Sequence, residues 1–103
     1  MAEVLIGNIE GSYLLGNIPD QTNGEAYLQT LWIAPEDRRK GIATSFFLEF
    51  LAVAMLHDMH GISTVLAPYK REDKGKSERF LRKHKFEYQR KLGKGDFYYR
   101  RLK

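Results

Sequence analysis

The chain has 103 residues, 43% hydrophobic and 13% aromatic, which is typical of a single globular domain and leaves no room for a second one. It contains no cysteine, which excludes disulfides, thiolate zinc sites and thiol nucleophiles and favours a reducing compartment. The N-terminus has no signal-peptide pattern and no apolar stretch is long enough to span a membrane, so we expect one cytoplasmic domain, residues 1–103, without membrane association.

The net charge of +4 is distributed unevenly along the chain. Residues 1–67 carry three basic and eight acidic side chains, whereas residues 68–103 carry fourteen basic and five acidic ones. This asymmetry indicates an anionic partner, either nucleic acid or a phosphorylated small molecule, or else a solvated basic face. The three basic residues of the acidic part are consecutive, at positions 38–40, and this isolation makes the segment a candidate anion site.

Short β-rich segments separated by turn residues fill the first third of the chain. The predicted strands are residues 4–9, 13–18 and 25–33. Strict alternation in the third strand would place Tyr27, Gln29, Leu31 and Ile33 on one face and Ala26, Leu28, Thr30 and Trp32 on the other. Both faces are then largely apolar, which predicts a central strand.

From residue 42 to about residue 59, apolar side chains recur at spacings of three and four and predict a long helix. The apolar arc is so wide that we expect the helix to be covered on most sides and to end at Gly61. Residues 63–67 are predicted as a strand, 76–84 as a short basic helix, and 86–92 with 97–102 as a terminal hairpin. The predicted order is therefore βββαβαββ.

The loop between the third strand and the long helix has the most informative pattern in the chain. It reads RRKGIA at residues 38–43. Gly41 lets the backbone turn, Ala43 permits close approach, and amides at a helix start point toward a bound anion. Basic side chains and the helix dipole add positive potential. The pattern predicts a phosphate site, although a basic helix cap with a glycine turn would look the same.

This loop resembles the Q/R-x-x-G-x-G/A signature of the GNAT superfamily of acyl-CoA-dependent N-acetyltransferases. The residues before it, LWIAP at 31–35, are similar to the apolar strand end that precedes the signature. The segment SERFLRKHKF at 77–86 is similar to the family's A-x-x-F-Y-x-K-x-G-F, with matches at Phe80, Lys83 and Phe86. The resemblance implies a mixed α/β (α+β) fold, with a mostly antiparallel sheet of about six strands, a long and a short helix, and two strands splayed to form a CoA cleft.

The resemblance also implies acetyl-CoA as co-substrate, with no metal. A primary amine of a small molecule or protein would attack the thioester directly, with a backbone N–H near Ile33 as oxyanion donor. The implied cofactor-binding residues are Leu31, Trp32 and Ile33 at the strand end, Arg38, Arg39, Lys40, Gly41, Ile42, Ala43 and Thr44 in the loop and first helical turn, and Ser77 and Phe80 in the short helix.

The chain departs from the family pattern in its second half. Leu81 stands where the family commonly has a tyrosine that protonates the departing thiolate, and an alkane side chain cannot donate a proton. Tyr69 and Tyr88 are candidate substitutes. Lys85 replaces the usual glycine and Lys74 the usual asparagine. We expect these departures to affect rate more than cofactor binding.

The base that accepts the amine proton is also not obvious. Several family members carry a glutamate at the position of Tyr27, which is a poor base at neutral pH. Glu25, two residues earlier, would act directly or through water, and Gln29 would only orient that water. Glu25 and Tyr27 are therefore the catalytic candidates.

The acceptor side also lacks a usual part of the family. The segments that normally precede the first hairpin, and form one wall of the acceptor groove, are missing. We expect either an open site for a macromolecule or a wall from a second subunit in a homodimer.

Two other motifs have alternative interpretations. His57 and His60 have the spacing of a metal pair, but without a third ligand nearby they favour a helix C-terminal cap. The aromatic residues at 97–99 beside Arg100 and Arg101 would suit nucleic acid, but alternation in a terminal strand favours core on one face and solvent on the other.

Three functions therefore stand as hypotheses. The first is an N-acetyltransferase, and the second is a CoA-binding or interaction module with weak catalysis. The third is a small nucleic-acid-binding protein, with salt-sensitive binding spread over the basic residues of 70–101. Nucleic acid is the less favoured partner.

Overall fold

The described chain folds into six strands and two helices in the predicted order. The computed structural model describes residues 2–66 and 71–103, with residues 71–74 described by their backbone only. The strands are β1 (Ala2–Gly7), β2 (Tyr13–Ile18), β3 (Glu25–Trp32), β4 (Gly61–Leu66), β5 (Glu87–Leu92) and β6 (Gly95–Arg101), and the helices are α1 (Ile42–Leu56) and α2 (Arg71–Lys83). The predicted substitute acid Tyr69 and the side chain of Lys74 lie outside the described residues.

The strands form one mixed sheet in the order β1-β2-β3-β4-β6-β5. Only the β3–β4 pair is parallel among the described strands, and the other four pairs are antiparallel. The α1 segment makes the crossover between the two parallel strands, as parallel neighbours require. The predicted mostly antiparallel six-stranded sheet and the central position of β3 are confirmed.

Both described helices pack on the same face of the sheet. From α1, Phe50 packs against Gly16 of β2, and from α2, Glu78 accepts a hydrogen bond from the Tyr98 hydroxyl of β6 at 3.5 Å. Because these contacts fall on one face, the core lies between the sheet and the helices. Its most deeply buried side chains are Leu14, Ala26, Phe47, Phe50, Ala54, Ile62 and Tyr98.

The opposite side of the sheet, which we call the open face, has no helix of the described chain packed on it. Its side chains include Asn17, Tyr27, Ser63, Tyr99 and Glu87, which are successive register partners across five strands. Leu5 on β1 is about half exposed here.

A β-bulge at Gln29 overturns the strict alternation predicted for β3. Leu15 pairs with Thr30, whereas the next residue, Gly16, pairs with Leu28, so that Gln29 is an extra residue in β3. The bulge moves Leu31 to the helix face, opposite the buried Leu14. It also moves Trp32 to the open face, opposite Tyr13, where Glu25 and Gln29 are exposed as well.

The end of α1 also differs from the prediction. The helix stops at Leu56, because Asp58 adopts a left-handed conformation with φ of 61°. The Met59 amide then donates to the Ala54 carbonyl and the Asp58 amide to the Met55 carbonyl, both at 3.0 Å. These are the two bonds of a Schellman ending, and they replace the expected stop at Gly61.

The expected burial of α1 on most sides is wrong. Leu48, Met55 and Leu56 are 51%, 60% and 84% exposed. They form an apolar stripe on the surface of α1 that faces away from the sheet, since Phe47, Phe50 and Ala54 fill the sheet-facing side. The residues that make the apolar arc of α1 so wide are therefore exposed in this chain.

Lys85, the residue that replaces the family's usual glycine, ends α2 in the same way as Asp58 ends α1. Its φ is 68°, and its amide donates to the Arg82 carbonyl at 3.0 Å while the Phe86 amide donates to the Leu81 carbonyl at 2.9 Å. A lysine in this conformation costs about 1–2 kcal/mol relative to glycine. The family's preference for glycine here therefore has a conformational reason.

We expect Lys85→Gly to raise the free energy of unfolding by about 1 kcal/mol, because glycine adopts positive φ without strain. Lys85→Ala removes the same charge and keeps the strain, so it is the matched control and should leave stability within about 0.5 kcal/mol of the wild type. Urea unfolding of the three proteins measures the difference. Equal stability of the glycine and alanine variants would contradict the backbone strain that we assign to Lys85.

Candidate functional site

The site is a cleft that opens where β3 and β4 separate. The two strands are paired from Glu25 opposite Gly61 to Leu28 opposite Thr64, and the Thr64 hydroxyl donates to the Leu28 carbonyl at 2.8 Å at the last pair. Beyond this point the rest of β3 pairs with β2, and the rest of β4 pairs with β6. The bulge at Gln29 lies at the point of separation. The predicted splay is therefore confirmed.

The cleft has a volume of about 1130 Å³. Of the predicted cofactor-binding residues, all but Lys40 line it: Leu31, Trp32, Ile33, Arg38, Arg39, Gly41, Ile42, Ala43, Thr44, Ser77 and Phe80. Lys40 is exposed and outside the lining. Residues from distant parts of the sequence are thus brought together around one space, although the role of each one remains a prediction.

The positive end of α1 faces this cleft without a side-chain cap. The first intrahelical bond runs from the Ser45 amide to the Gly41 carbonyl, so the amides of Ile42, Ala43 and Thr44 have no acceptor within the helix. The first turn contains no acidic residue that would neutralise the helix dipole. The arrangement presents three N–H donors and a partial positive charge to the cleft.

Gly41 leaves open space at the entrance to this helix. Its φ is 75°, and a Cβ built on it would have no neighbouring atom within 4 Å. Arg39 also has a positive φ, of 65°. When left-handed residues alternate with right-handed or extended ones, successive backbone amides point toward the same concave side. This is the geometry of anion-binding nests.

Arg38 is placed differently from the expectation that it would reach a phosphate at the helix start. Its Nε donates to the Ile33 carbonyl at 3.1 Å, and its guanidinium lies 5.4 Å from the centre of the Trp32 ring. These two contacts hold Arg38 against the end of β3. In this conformation its charge contributes to the cleft wall rather than to the helix start.

Ser12 is a site residue that sequence reasoning missed. Its hydroxyl accepts a hydrogen bond from the Ala34 amide at 2.8 Å and donates one to Asp37 at 2.7 Å. The two bonds tie the β1–β2 turn to the segment between β3 and α1, next to the cleft-lining residues Ile33 and Asp37. No sequence signal marks them, because the partners are 22 and 25 residues away.

The two catalytic candidates lie outside the cleft lining. Glu25 and Tyr27 are at the paired end of β3 and on the open face, before the strands separate. Burial raises the pKa of the nearby Tyr99, and the negative charge of Glu25 raises it further. Gln29 does line the cleft, and its side-chain oxygen accepts a hydrogen bond from Asn17 at 3.2 Å.

Leu81, at the family's tyrosine position, is buried and lines the cleft. Tyr88, the predicted substitute, is about half exposed and packs edge-on against Tyr98, outside the lining. Among the described residues, Tyr13 is the phenol that lines the cleft, and it stands opposite Trp32 at the far end from the separation point.

The remaining motifs have structural explanations. His57 is the C-cap of α1, and His60 Nδ1 lies 2.9 Å from the Asn23 carbonyl oxygen, as the helix-end interpretation favours. The described residues contain no group of three His, Asp or Glu side chains able to hold a metal ion.

Tyr98 is in the core while Phe97 and Tyr99 lie on the other face, which confirms the alternation. Among the described residues, neither helix combines the length and apolar character needed to cross a bilayer.

The sequence matches no protein-family model and no curated protein. The structure, in contrast, is similar to many solved structures. One is an N-acetyltransferase, PaiA, of Thermoplasma acidophilum in complex with coenzyme A, with a TM-score of 0.73 and 16% identity over 88% of this chain and 53% of that one. Another, from Desulfovibrio desulfuricans and described as a GNAT-family acetyltransferase, has a TM-score of 0.74 and 15% identity over 88% of this chain and 60% of that one.

A third neighbour is matched along almost its whole length. The anti-CRISPR protein AcrVA5 has a TM-score of 0.74 and 17% identity over 96% of this chain and 98% of that one. By contrast, this chain spans between about half and three fifths of the two acetyltransferases. At these identities the similarity concerns the fold: the chain has the fold of the GNAT-family acetyltransferases, as the resemblance implies.

Proposed function

We propose that this protein is an acyl-CoA N-acyltransferase that transfers an acetyl group from acetyl-CoA to a primary amine. The observation that carries the proposal is the cleft between β3 and β4, which runs to the uncapped start of α1. The same fold occurs in an N-acetyltransferase in complex with coenzyme A. A splayed pair of strands beside a free helix start suits a ligand with a pyrophosphate and an amide-containing arm.

The residues of the cleft fit coenzyme A. The amides of Ile42, Ala43 and Thr44 are free to hold the pyrophosphate, and the open space at Gly41 lets a phosphate approach the backbone. Because the end of β3 has left β4, its N–H and C=O groups on that side are available to pair with the pantetheine amides. From α2, Ser77 and Phe80 would contact the same arm.

The bound cofactor would supply an activated thioester carbonyl, and the chain would orient it. A backbone N–H near Ile33, beside the cleft, is the proposed oxyanion donor. Because Glu25 and Tyr27 lie outside the lining, we propose that they act through water, with Gln29 and Asn17 holding that water at the point of separation. Leu81 donates no proton, so the acid position of the family is not filled here.

We further propose that the acceptor amine belongs to a protein. The open face gives access to the point of separation without an intervening helix of the described chain, and so it admits a surface larger than a small molecule. A second copy bound to the exposed stripe of α1 would lie on the other layer and would leave this access unobstructed.

Calorimetric titration with acetyl-CoA and with CoA tests the cofactor site, and mass spectrometry of a lysine-containing peptide incubated with protein and acetyl-CoA tests the reaction. We expect micromolar binding of both ligands and a mass increase of one acetyl group per reacted amine. Saturable binding without acetylation of peptides or of small amines would favour the CoA-binding module. Absence of binding would overturn the proposal, and salt-dependent binding of RNA or DNA would then favour the third hypothesis.

A further inference from the structure

His84, at the end of α2, is buried beside the first turn of α1. Its Nε2 lies 3.4 Å from the Thr44 hydroxyl, and its ring stands 4.8 Å from the ring of Phe47 and 4.5 Å from that of Phe80. The Arg100 side chain donates to the His84 carbonyl at 3.2 Å. The imidazole is therefore held by packing on both sides, with one ring nitrogen directed at the hydroxyl of Thr44, a residue that lines the cleft.

The Thr44 hydroxyl has one proton, and it can donate that proton to only one acceptor at a time. When Nε2 is unprotonated, it can accept the proton of the Thr44 hydroxyl. When Nε2 carries a proton, it donates to the hydroxyl oxygen, and the hydroxyl is free to donate to an anion at the helix start. The state of His84 thus decides whether Thr44 adds a fourth donor to the three amides.

We propose that His84 is a positioning residue for the CoA phosphates, acting through the Thr44 hydroxyl and coupling cofactor affinity to its own protonation. This inference rests on the proposed CoA site. No direct contact between His84 and the cofactor is required. Phosphate bound at the start of α1 favours the form of His84 with a proton on Nε2, and protonation of His84 in turn strengthens phosphate binding.

The charges around His84 determine the direction of the pH effect. Burial lowers the pKa of His84 in the free protein, and the positive charges of Lys83 on α2 and Arg100 on β6 lower it further. On α1 its contacts are with the uncharged Thr44 and Phe47. A bound phosphate adds negative charge and raises this pKa, so binding takes up a proton. CoA affinity therefore increases as the pH falls from the pKa of His84 in the complex toward its lower pKa in the free protein. Above this interval, CoA affinity does not depend on His84.

The test is calorimetric titration with CoA between pH 5 and pH 8 on the wild type and on His84→Gln. Glutamine, like the neutral imidazole, offers both a donor and an acceptor at similar size, and it stays uncharged throughout this range. Because the CoA phosphates titrate equally in both experiments, the ratio of the two affinities isolates His84. We expect the two affinities to be nearly equal at pH 8. At acidic pH the wild type should bind CoA more tightly, by about tenfold for each unit by which bound CoA raises the pKa of His84. A ratio that stays constant with pH would overturn the coupling.

A second comparison separates positioning from packing. His84→Leu keeps the apolar contacts and removes the donor, and Thr44→Val keeps the shape of the threonine and removes its hydroxyl. We expect each change alone to weaken CoA binding about fivefold and the double variant to be no weaker than either single one. Additive losses would overturn the shared route through Thr44, provided that circular dichroism shows the variants to be folded.

Nitrogen NMR of the histidine rings gives a readout that packing alone would not change. Adding CoA to the wild type, at a pH within the interval where the affinity ratio changes, should shift Nε2 of His84 to the protonated position, whereas Thr44→Val should abolish this response. An unchanged Nε2 signal in a CoA-saturated sample would overturn the inference while leaving the CoA site itself established. Failure of the wild type to bind CoA would instead contradict the proposed function.

Discussion

Gly41→Glu is expected to weaken CoA binding at least about 100-fold, which corresponds to roughly 2.7 kcal/mol. The glutamate side chain would extend from a position where no protein atom lies within 4 Å, and so it would enter the space in front of α1. It would place a carboxylate near the amides of Ile42, Ala43 and Thr44, where it would both repel the phosphates and compete for the same donors. Calorimetry with CoA measures the loss.

The chain contains a closely matched control for this substitution. Gly93, in the turn between β5 and β6, also has positive φ, at 62°, and also has no atom within 4 Å of an added Cβ. Gly93→Glu therefore introduces the same charge and a similar backbone strain of about 1–2 kcal/mol. It lies outside the cleft lining, so we expect its CoA affinity to remain within about twofold of the wild type.

The pair of variants distinguishes the site from the fold. Equal destabilisation in urea, together with a loss of CoA binding in Gly41→Glu alone, would assign the loss to the cleft. If Gly41→Glu is folded and binds CoA as tightly as Gly93→Glu does, then the start of α1 does not hold the phosphates and the cofactor-site assignment is wrong. If the two variants lose affinity together, the loss reflects overall charge or stability rather than the site.

The local parts of this fold follow from short sequence patterns. The apolar periodicity of α1, the β-rich segments and the turn at Asn23-Gly24 depend on neighbouring residues, and they predict the element order correctly. The same holds for the glycine at the start of α1, because the requirement for positive φ and the start of an apolar helix are both visible in the sequence. Eleven of the twelve predicted cofactor-binding residues therefore line the cleft, whereas ten further lining residues of the described chain, among them Tyr13, Thr64 and Lys76, were not predicted.

The features that could not be predicted depend on contacts between distant residues. The bulge at Gln29 arises from the register between β2 and β3, which no single segment encodes. Ser12 reads as an ordinary turn residue until its two partners are known. Arg38 illustrates the same limit for side chains, since its direction is determined by Trp32 and by the Ile33 carbonyl rather than by its place in the basic loop.

The position of the two catalytic candidates relative to the cleft was also beyond the sequence. Glu25 and Tyr27 share a strand with the cleft, but the point at which that strand leaves its neighbour lies after them. The last pair of β3 with β4 is Leu28 with Thr64, directly before the bulge at Gln29, so a spacing of two or four residues decides whether a side chain reaches the site. A resemblance at the level of motifs carries no information on how far a residue of β3 lies from the point of separation.

Gly16→Ala is expected to lower the free energy of unfolding by about 3 kcal/mol, the upper part of the range for overpacked cores. A Cβ at Gly16 would lie 2.5 Å from Cε1 of Phe50 and 2.9 Å from the carbonyl oxygen of Tyr27. The Phe50 ring is fully buried, so it cannot move aside freely. Urea unfolding measures the loss, and a thermal midpoint lower by roughly 12–24 °C would accompany it.

Gly11→Ala is the control, because an added Cβ there meets its nearest atom at 3.8 Å, an ordinary contact. Stability should change by less than about 0.5 kcal/mol. A small effect of Gly16→Ala as well would mean that α1 packs less closely on β2 than the structure indicates. The contact between the helix and the bulged strands would then be too loose to hold the splay.

The double variant Gly16→Ala with Phe50→Leu identifies which contact produces the loss. If the clash with the ring dominates, the smaller leucine should make room for the new methyl group, and the double variant should be more stable than the sum of the two single losses predicts. If the losses simply add, the strain lies against the Tyr27 carbonyl, within the β2–β3 ladder beside the bulge. In that case Gly16 sets the register that places Gln29 at the point of separation, and CoA affinity should fall together with stability.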